Sequence, residues 1–362
     1  MTSFWKGFHG LGLSGSIVGP AGVPKENIKW LRNYGDCGAV LDPLIGYGDN
    51  LYYIVKIEND EKVLLSINLE NGNVVGQSKA LQQENWEFTM FANSNKVIVG
   101  CEIYDTNSLS KIADLSDLAG ENSGLDEDSI HFMGEKYTLS ALSDKRYLIF
   151  DLIENSAEIK KFDFDFGWLT TDSDRILSVE ETNNTCFLNA SSINGNKLWS
   201  ADVSVYGDVQ VINDAIFYTS EKSLIKLNLI NGEFVNDLDG VDCVTNEFIS
   251  QNSKCFSDDT FSIVKDYELY TYLVASGELL FKKIGWEILT PIAAGDLLFF
   301  IRDTWFISAL DRYSGEEVWS YTERYTWQSL IYSNNHLIVY CASGEIVCFD
   351  CGEPYISPYR PN

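Results

Sequence analysis

Apolar and polar residues alternate along most of this chain, and the period of two predicts β-strands. For example, Ile225, Leu227 and Leu229 alternate with Lys226 and Asn228. Many of these segments end at an Asn-Gly or Ser-Gly pair, which supplies the positive φ that a tight hairpin turn requires. No segment shows a convincing apolar stripe of helical period beyond about two turns. The pattern predicts an all-β protein of short antiparallel strands.

A strand–turn–strand phrase recurs about every 40 residues, which is typical of a repeat protein. The turn glycines of its clearest copies are Gly72, Gly195, Gly232, Gly277 and Gly315. Weaker copies lie at 103–112 and 147–159, and a last copy lies at 345–354. A unit this small cannot bury both faces of its sheet alone, so units must stack. Strand-rich units of about 40 residues stack radially, as the four-stranded antiparallel blades of a single β-propeller.

The N-terminal segment predicts how the ring closes. Residues 27–54 align with residues 195–219, and the alignment places Trp30 where Trp199 falls. We therefore expect the strand around residues 28–32 to be the outer strand of a blade whose inner strands come from the C-terminus. Such an overlap leaves no free sheet edge.

Counting units in this way favours eight blades, with seven as the alternative if the weak unit at 86–118 is an embellishment. The predicted organisation is a Gly-rich N-terminal extension at 1–26, the propeller at 27–351 and a C-terminal tail at 352–362. Three of the seven prolines lie in that tail, so we expect it to be extended or frayed.

Two copies of the phrase resemble a known repeat. ALDRYSGEEVW at 309–319 and SSINGNKLW at 191–199 are similar to the pyrroloquinoline-quinone-type propeller repeat, and the resemblance covers most of residues 27–351. That repeat occurs in quinoprotein dehydrogenases and in many propellers that bind no quinone, so the resemblance implies the fold and leaves function to be argued from a site. A quinone site would imply a stacking tryptophan, calcium ligands and, in many members, adjacent cysteines; this sequence has no adjacent cysteines.

The charge of the chain is strongly negative, with 26 Lys and Arg against 53 Asp and Glu and a net charge of −27. Such a surface repels phosphate backbones and anionic lipids, so nucleic acid and membrane are disfavoured as partners. The charge either serves solubility alone or attracts a basic protein and speeds its capture. The N-terminus lacks the pattern of a signal peptide, which predicts a cytoplasmic protein, and we expect its eight cysteines to be mostly free thiols.

The tryptophans fall into two sets. We expect Trp30, Trp199 and Trp319 to lie on outer strands and pack between blades. The second set lies just before predicted inner strands and consists of Trp86, Trp168, Trp286 and Trp327. Because inner strands line the central channel, these indoles are candidates for a partner-binding ring at its mouth, with packing between blades as the alternative.

An acidic insertion at 114–129 is a second candidate for partner binding, with Asp126, Glu127 and Asp128 as its densest run. The alternative is a solvated loop. The spacing of these carboxylates differs from that of a calcium-binding loop.

His336, Cys341, Cys348 and Cys351 are weak candidates for a zinc site. Residues three apart on a strand face opposite sides, so Cys348 and Cys351 converge only where the strand ends between them. We therefore predict neither a metal nor another cofactor.

No nucleophile elbow, P-loop or dinucleotide fingerprint is present, and the chain has three histidines. The sequence favours a monomeric, non-catalytic propeller that binds a basic protein; one version is a bacterial immunity protein that neutralises a secreted toxin. The alternatives are a quinoprotein-type dehydrogenase and a scaffold subunit of a larger assembly.

Overall fold

The computed structural model describes most of the chain. The described residues are 15–17, 20–35, 44–57, 61–81, 90–93, 95–120, 125, 130–133, 136–142, 145–162, 168–171, 175–182, 185–203, 209–212, 215–219, 223–239, 254–257, 259–265, 268–284, 288–323, 326–341 and 343–361. Two compact units share the chain. The first comprises Met1–Ala92, Asn107–Ser110 and Thr245–Asn362, and the second comprises Asn93–Thr106 and Lys111–Val244.

Nearly all of the described residues lie in strands or in the turns between them, as the alternating pattern predicts. The strands of the N-terminal segment are β1 (Gly15–Ile17), β2 (Gly22–Asn33), β3 (Leu44–Tyr47), β4 (Asn50–Lys56), β5 (Lys62–Asn68), β6 (Val74–Gln77) and β7 (Met90–Ala92). The next part contains β8 (Lys96–Val99), β9 (Glu102–Asp105), β10 (Lys111–Asp114), the helix α1 (Leu115–Ala119), β11 (Ile130–Met133), β12 (Tyr137–Ala141), β13 (Arg146–Asp151) and β14 (Ser156–Lys161).

The remaining strands complete the chain. They are β15 (Trp168–Thr171), β16 (Arg175–Thr182), β17 (Thr185–Ser192), β18 (Lys197–Val203), β19 (Val209–Ile212), β20 (Ala215–Thr219), β21 (Ser223–Asn228), β22 (Phe234–Asp239), β23 (Lys254–Phe256), β24 (Thr260–Lys265), β25 (Glu268–Leu273), β26 (Leu279–Ile284), β27 (Ile288–Ala294), β28 (Leu297–Arg302), β29 (Phe306–Asp311), β30 (Glu317–Thr322), β31 (Trp327–Ser333), β32 (His336–Cys341) and β33 (Glu345–Pro354).

Within the described residues these strands form eight sheets, and each sheet contains four antiparallel strands in the order of an up-and-down meander. The strand orders are β3-β4-β5-β6, β10-β9-β8-β7, β11-β12-β13-β14, β15-β16-β17-β18, β19-β20-β21-β22, β23-β24-β25-β26, β1-β27-β28-β29-β30 and β2-β33-β32-β31. Residues of the weak repeat unit thus form a sheet of their own, β7 to β10. The closure of the sheets into one ring and its blade count stay predictions.

The N-terminal strand lies where the sequence predicts. β2 is the outer strand of the sheet β2-β33-β32-β31 and runs antiparallel to β33, with Trp30 opposite Cys348 and Leu31 opposite Val347. β2 begins at Gly22, five residues before the predicted start of the propeller, because the backbone N–H of Gly22 is held by the hydroxyl of Tyr332 at 3.0 Å.

β1 is a strand that the sequence analysis did not predict. It adds a fifth strand to one sheet and pairs in parallel with β27, the first strand of that sheet's meander, with Ser16 opposite Ala293.

Aromatic side chains on outer strands pack onto the turn glycines of the next sheet in both units. A Cβ added to Gly72 would lie 2.7 Å from the Trp30 ring, and one added to Gly232 would lie 2.5 Å from the Trp199 ring. Both glycines have positive φ, 69° and 70°, as their Asn-Gly sequence predicts. The turn glycines therefore have a second function beyond the turn, since they leave room for a ring.

The core of each unit lies between the faces of neighbouring sheets. In the first unit, Phe299 and Ile301 of β28 pack with Leu337 and Val339 of β32 in one apolar cluster. In the second unit, side chains of β16 and β17 pack against those of β20 and β21 in the same way. Burial of both sheet faces explains why a single repeat unit cannot be stable alone.

The C-terminal tail is extended, as predicted, but it is not frayed. Its residues contact the turns of the sheet β27 to β30. The Tyr355 hydroxyl donates to Asp311 at 2.9 Å, the Ser357 backbone N–H donates to Asp296 at 3.0 Å, and Arg360 lies 3.4 Å from Asp296. Burial opposes ionisation of Asp311, but hydrogen bonds from Ser357, Ser314 and Tyr313 outweigh it and lower the pKa of this carboxyl.

Among the described residues, no helix is long and apolar enough to cross a membrane. The described cysteines are all free thiols: Cys101, Cys186, Cys255, Cys341, Cys348 and Cys351.

Candidate protein-binding site

Trp30 and Trp199 are packing residues, as the sequence predicts. Besides lying on a turn glycine, each indole donates its Nε1–H to a backbone carbonyl of that turn. Trp30 donates to Leu69 at 2.7 Å, and Trp199 donates to Leu229 at 3.2 Å. Trp319, the third member of this set, contacts the ring of Phe349 edge-on at 5.2 Å.

The second set of tryptophans is only partly described. Trp86 and Trp286 lie outside the described residues, as do the acidic residues Asp126, Glu127 and Asp128. Trp168 is the first residue of β15, which is the first strand of its sheet's meander.

Trp327 begins β31, the first strand of its meander, but its side chain is 1% exposed and belongs to the apolar cluster between two sheets. This burial favours packing between sheets over a place at an exposed channel mouth. Trp327 also holds the backbone of a neighbouring turn, which presents an exposed residue.

That residue is Trp305, whose side chain is 47% exposed. It lies in the turn between β28 and β29, and its backbone N–H donates to the Arg302 carbonyl at 3.2 Å. Trp327 makes two hydrogen bonds to this turn. Its backbone N–H donates to the Thr304 carbonyl at 3.0 Å, and its indole Nε1–H donates to the Trp305 carbonyl at 3.0 Å. The buried Trp327 thus holds two consecutive backbone carbonyls of the turn on which the exposed Trp305 lies.

The backbone of this turn is strained. Asp303 and Thr304 have φ of 51° and 57°, and a β-branched residue such as Thr304 rarely adopts a positive φ. Strain of this kind persists only where the surroundings enforce it, and it is concentrated at functional sites. The two hydrogen bonds from Trp327 provide the enforcement. The turn is therefore ordered before any partner arrives, which lowers the entropic cost of binding.

Two carboxylates lie at the same end of the sheet as Trp305. The Asp303 side chain is 45% exposed and has an ion pair with Arg302 at 4.0 Å. Glu323 is exposed and directly follows β30, whose last residue Thr322 pairs with Phe306. It therefore lies at the same end of the sheet as Trp305. An exposed indole beside carboxylates suits the aliphatic stem and cationic head of a Lys or Arg side chain. We call Asp303, Thr304, Trp305 and Glu323 the Trp305 turn.

The sequence analysis did not single out Trp305. The Asp-Thr-Trp turn carries no glycine, so the Asn-Gly and Ser-Gly signal did not mark it. A usable signal was present, because Trp305 lies between two strongly apolar strands, at a position where a hairpin turn must fall. A tryptophan in a hairpin turn cannot be buried by its own sheet.

The four weak zinc candidates do not converge. Cys341 and Cys351 belong to the apolar cluster around Trp327, whereas the Cys348 thiol points towards the Leu69 carbonyl of another sheet at 3.9 Å. Burial raises the pKa of the Cys341 and Cys351 thiols to about 12, which disfavours the thiolate form that a metal needs. Among the described residues, no group of three or more His, Cys, Asp or Glu side chains is placed to hold a metal ion.

His336 belongs to a polar cluster on the sheet that contains the N-terminal strand. The Lys29 ammonium lies 2.6 Å from Glu70, 3.0 Å from His336 Nε2 and 3.9 Å from Asp350. Lys25 also pairs with Asp350. Burial, followed by the Lys29 charge, lowers the pKa of His336 below its usual value of 6.5. The cluster ties β2 to β32 and β33.

Solved structures resemble this chain at the level of the fold. No family model and no curated protein matches the sequence. BamB from Moraxella catarrhalis matches with a TM-score of 0.58 and 10% identity, over 90% of this chain and 99% of that one. The C-terminal WD40 domain of Sif2 matches with a TM-score of 0.60 and 13% identity, over 92% of this chain and 100% of that one.

A europium-containing methanol dehydrogenase matches with a TM-score of 0.59 and 12% identity, over 90% of this chain and 87% of that one. The chain has a β-propeller fold. At these identities the likeness shows the fold alone, and the function of the propeller must be argued from its own residues.

Proposed function

We propose that this propeller is a non-catalytic binding protein that captures a basic protein partner at the Trp305 turn. The observation that carries the proposal is the half-exposed indole of Trp305, on a turn whose backbone Trp327 holds, with Asp303 and Glu323 at the same end of the sheet. Tryptophan is enriched among the residues that dominate the energy of protein interfaces, because it buries a large area at a small entropic cost.

The net charge of −27 supports a basic partner. Complementary charge speeds the diffusional encounter, and like charge keeps anionic partners away. The proposal includes a cytoplasmic, monomeric protein without a cofactor. Its most specific version is a bacterial immunity protein that neutralises a secreted toxin, since toxins that act on nucleic acid or membranes are often cationic.

The test is an affinity pull-down from host lysate and secretome at low salt, followed by elution at high salt. Wild-type protein, Trp305→Ala and Ile356→Ala are used as baits in parallel. Ile356 is 78% exposed on the C-terminal tail, so its variant controls for the loss of an exposed apolar side chain elsewhere.

We expect one basic protein, recovered in stoichiometric amount by the wild type and by Ile356→Ala, and recovered poorly by Trp305→Ala. Equal recovery by all three baits would show that the partner binds outside the Trp305 turn. An acidic partner, or recovery that is insensitive to salt, would overturn the charge argument.

The quinoprotein alternative draws on the repeat resemblance. A thermal-shift measurement with pyrroloquinoline quinone and calcium tests it directly, because a ligand that binds the native state raises the melting temperature. The scaffold alternative predicts a stoichiometric partner that remains bound at high salt.

A further inference from the structure

A β-bulge recurs on the outer strands of this propeller. In seven of the eight sheets among the described residues, the outer strand carries at least one extra residue that lies opposite no partner, and one such residue is compared from each sheet. These residues are Lys29, Val75, Ile112, Leu198, Val235, Leu280 and Val318. In several sheets the next residue is the aromatic one that packs between sheets. The bulge residue therefore serves as a reference position from which equivalent residues in different sheets can be identified.

Two sheets match closely when compared from this position. Trp30 and Trp199 each follow a bulge residue, each lies on a turn glycine, and each donates to the carbonyl three residues before that glycine. Lys29 is therefore equivalent to Leu198, and Glu70 is equivalent to Ile230. The first pair is in direct contact, with Lys29 Nζ 2.6 Å from Glu70 Oε2. By this equivalence, we assign the side chains of Leu198 and Ile230 to the same stretch of surface.

At the two positions where one sheet has an ion pair, the other therefore has two exposed apolar side chains. Leu198 is 49% exposed and Ile230 is 63% exposed. Phe234 and Val235, on the same turn and strand as Ile230, are both more than half exposed, at 61% and 51%. Outer strands are sheet edges, where proteins ordinarily place charged side chains, and clustered apolar side chains on a surface mark interaction sites. We call Leu198, Ile230, Phe234 and Val235 the β18–β22 patch.

The charge of the chain and the bulge in β22 indicate what kind of partner the patch would bind. Residues 229–235, which form the turn and the start of β22, contain Glu233 and no Lys or Arg. The Arg175 guanidinium, which reaches this turn, donates to the Leu229 carbonyl at 2.7 Å. A second copy of this chain would bring together two molecules of net charge −27, which disfavours a self-association of the patch. The bulge at Val235 distorts the outer edge of β22, which disfavours the addition of a strand and leaves side-chain docking.

We infer that the β18–β22 patch docks the apolar face of an amphipathic, basic helix of a partner protein. The helix would place apolar residues against Phe234 and Ile230 and cationic residues near Glu233, with Lys197 at the rim. The inference shares the charge argument of the proposed function but rests on different residues, so either can fail without the other.

The test introduces the ion pair of Lys29 and Glu70 at the equivalent positions of the β18–β22 patch. The double variant Leu198→Lys/Ile230→Glu copies Lys29 and Glu70, which this fold already accommodates at the equivalent place. Its net charge equals that of the wild type, so a loss of binding reports the apolar patch and not the overall charge. The matched control is Val75→Ser, which removes an exposed apolar bulge residue from β6.

The probe is a fluorescein-labelled peptide of leucine and lysine, patterned as an amphipathic helix. We expect fluorescence anisotropy to show binding to the wild type, to Val75→Ser and to Trp305→Ala, and binding about tenfold weaker to the double variant. Circular dichroism and thermal melting establish that the double variant is folded.

Three results would overturn the inference. The first is equal binding of the peptide to the double variant and the wild type. The second is equal binding of an all-lysine peptide of the same length, which would reduce the interaction to charge. The third is the absence of binding to the wild type. A loss of binding in Trp305→Ala but not in the double variant would support the proposed function while refuting the inference.

Discussion

The indole Nε1–H of the buried Trp327 donates to the carbonyl oxygen of the half-exposed Trp305 at 3.0 Å. In the function proposed above, the two side chains have different roles: Trp327 orders the turn, and Trp305 is available to a partner. Trp327 opens the first strand of one sheet, and Trp305 lies in a turn of the neighbouring sheet. The exposed turn is thus fixed by the packing of sheet against sheet.

Trp327→Phe tests this arrangement, because it keeps an aromatic ring in the core and removes the indole N–H. The Trp305 carbonyl then loses its hydrogen bond, and we expect a loss of about 1–2 kcal/mol in the free energy of unfolding, measured by urea titration. Partner affinity should also fall, because the strained turn becomes mobile. Trp305→Phe is the comparison, since it should weaken binding with little change in stability. Unaltered affinity in Trp327→Phe would show that the turn needs no such support.

Gly72→Ala and Gly48→Ala form a matched pair that tests the packing function of the turn glycines. Both positions have positive φ, 69° and 57°, so both variants carry the same backbone penalty of about 1–2 kcal/mol. A Cβ at Gly48 meets nothing within 4 Å, whereas one at Gly72 would lie 2.7 Å from the Trp30 ring.

We therefore expect Gly72→Ala to be less stable than Gly48→Ala by a further ~1–3 kcal/mol, as measured by thermal or urea unfolding. Equal stabilities would mean that the Trp30 ring moves aside without cost.

His336 makes stability depend on pH. Its pKa in the folded protein lies below the usual 6.5, so the unfolded chain takes up a proton first as the pH falls. Stability should be complete above about pH 6.5 and should decline as the pH falls through the folded pKa. The pKa values of Glu70 and Asp350 are also lowered, by hydrogen bonds from Lys29 and Lys25 respectively, and their contribution is lost only at more acidic pH.

His336→Gln should flatten the decline that begins as the pH falls below about 6.5 and should leave in place the loss that the carboxylates cause at more acidic pH. The measurement is the urea midpoint of both proteins across this range. An unchanged slope in the variant would assign the pH dependence to other groups.

The C-terminal tail should contribute to stability through its polar contacts. Deletion of residues 355–362 removes the hydrogen bonds from Tyr355 to Asp311 and from Ser357 to Asp296. We expect a loss of about 1–3 kcal/mol in the free energy of unfolding. Ile356→Ser, in the same tail but with a side chain that is 78% exposed, should stay within about 0.5 kcal/mol of the wild type. A truncated protein as stable as the full chain would show that the contacts of the tail contribute nothing to the free energy of unfolding.

The sequence predicts the parts of the fold that depend on local chemistry. Period-two alternation predicts the strands, the Asn-Gly and Ser-Gly pairs predict the positive φ at Gly72, Gly195 and Gly232, and the internal repeat predicts the pairing of β2 with β33. β1 escaped prediction because a short Gly-rich segment carries no alternation, and its pairing with β27 is decided by tertiary contacts.

The candidate site was less predictable. Trp327 and Trp305 look alike in the sequence, and the difference between a buried and an exposed indole arises from the packing of two sheets. Trp305 also lies in a turn that holds positive φ without glycine, so the local signal was missing. Whether a side chain is exposed depends on how the sheets pack in the folded protein. A single sequence indicates exposure only through the alternation of apolar and polar residues, and a turn has no such alternation.

The pairing of β2 with β33 has a consequence for biosynthesis. Asn33 pairs with Glu345, and Gly22 pairs with Pro354, so β2 is synthesised long before the strand that it pairs with. Until β33 has left the ribosome, the β2 edge lacks this partner and Trp30 has only part of its burial. Contacts of such long sequence separation form slowly, and an unpaired edge invites aggregation in the meantime. Nascent chains of this protein should therefore depend on chaperones until β33 has been synthesised.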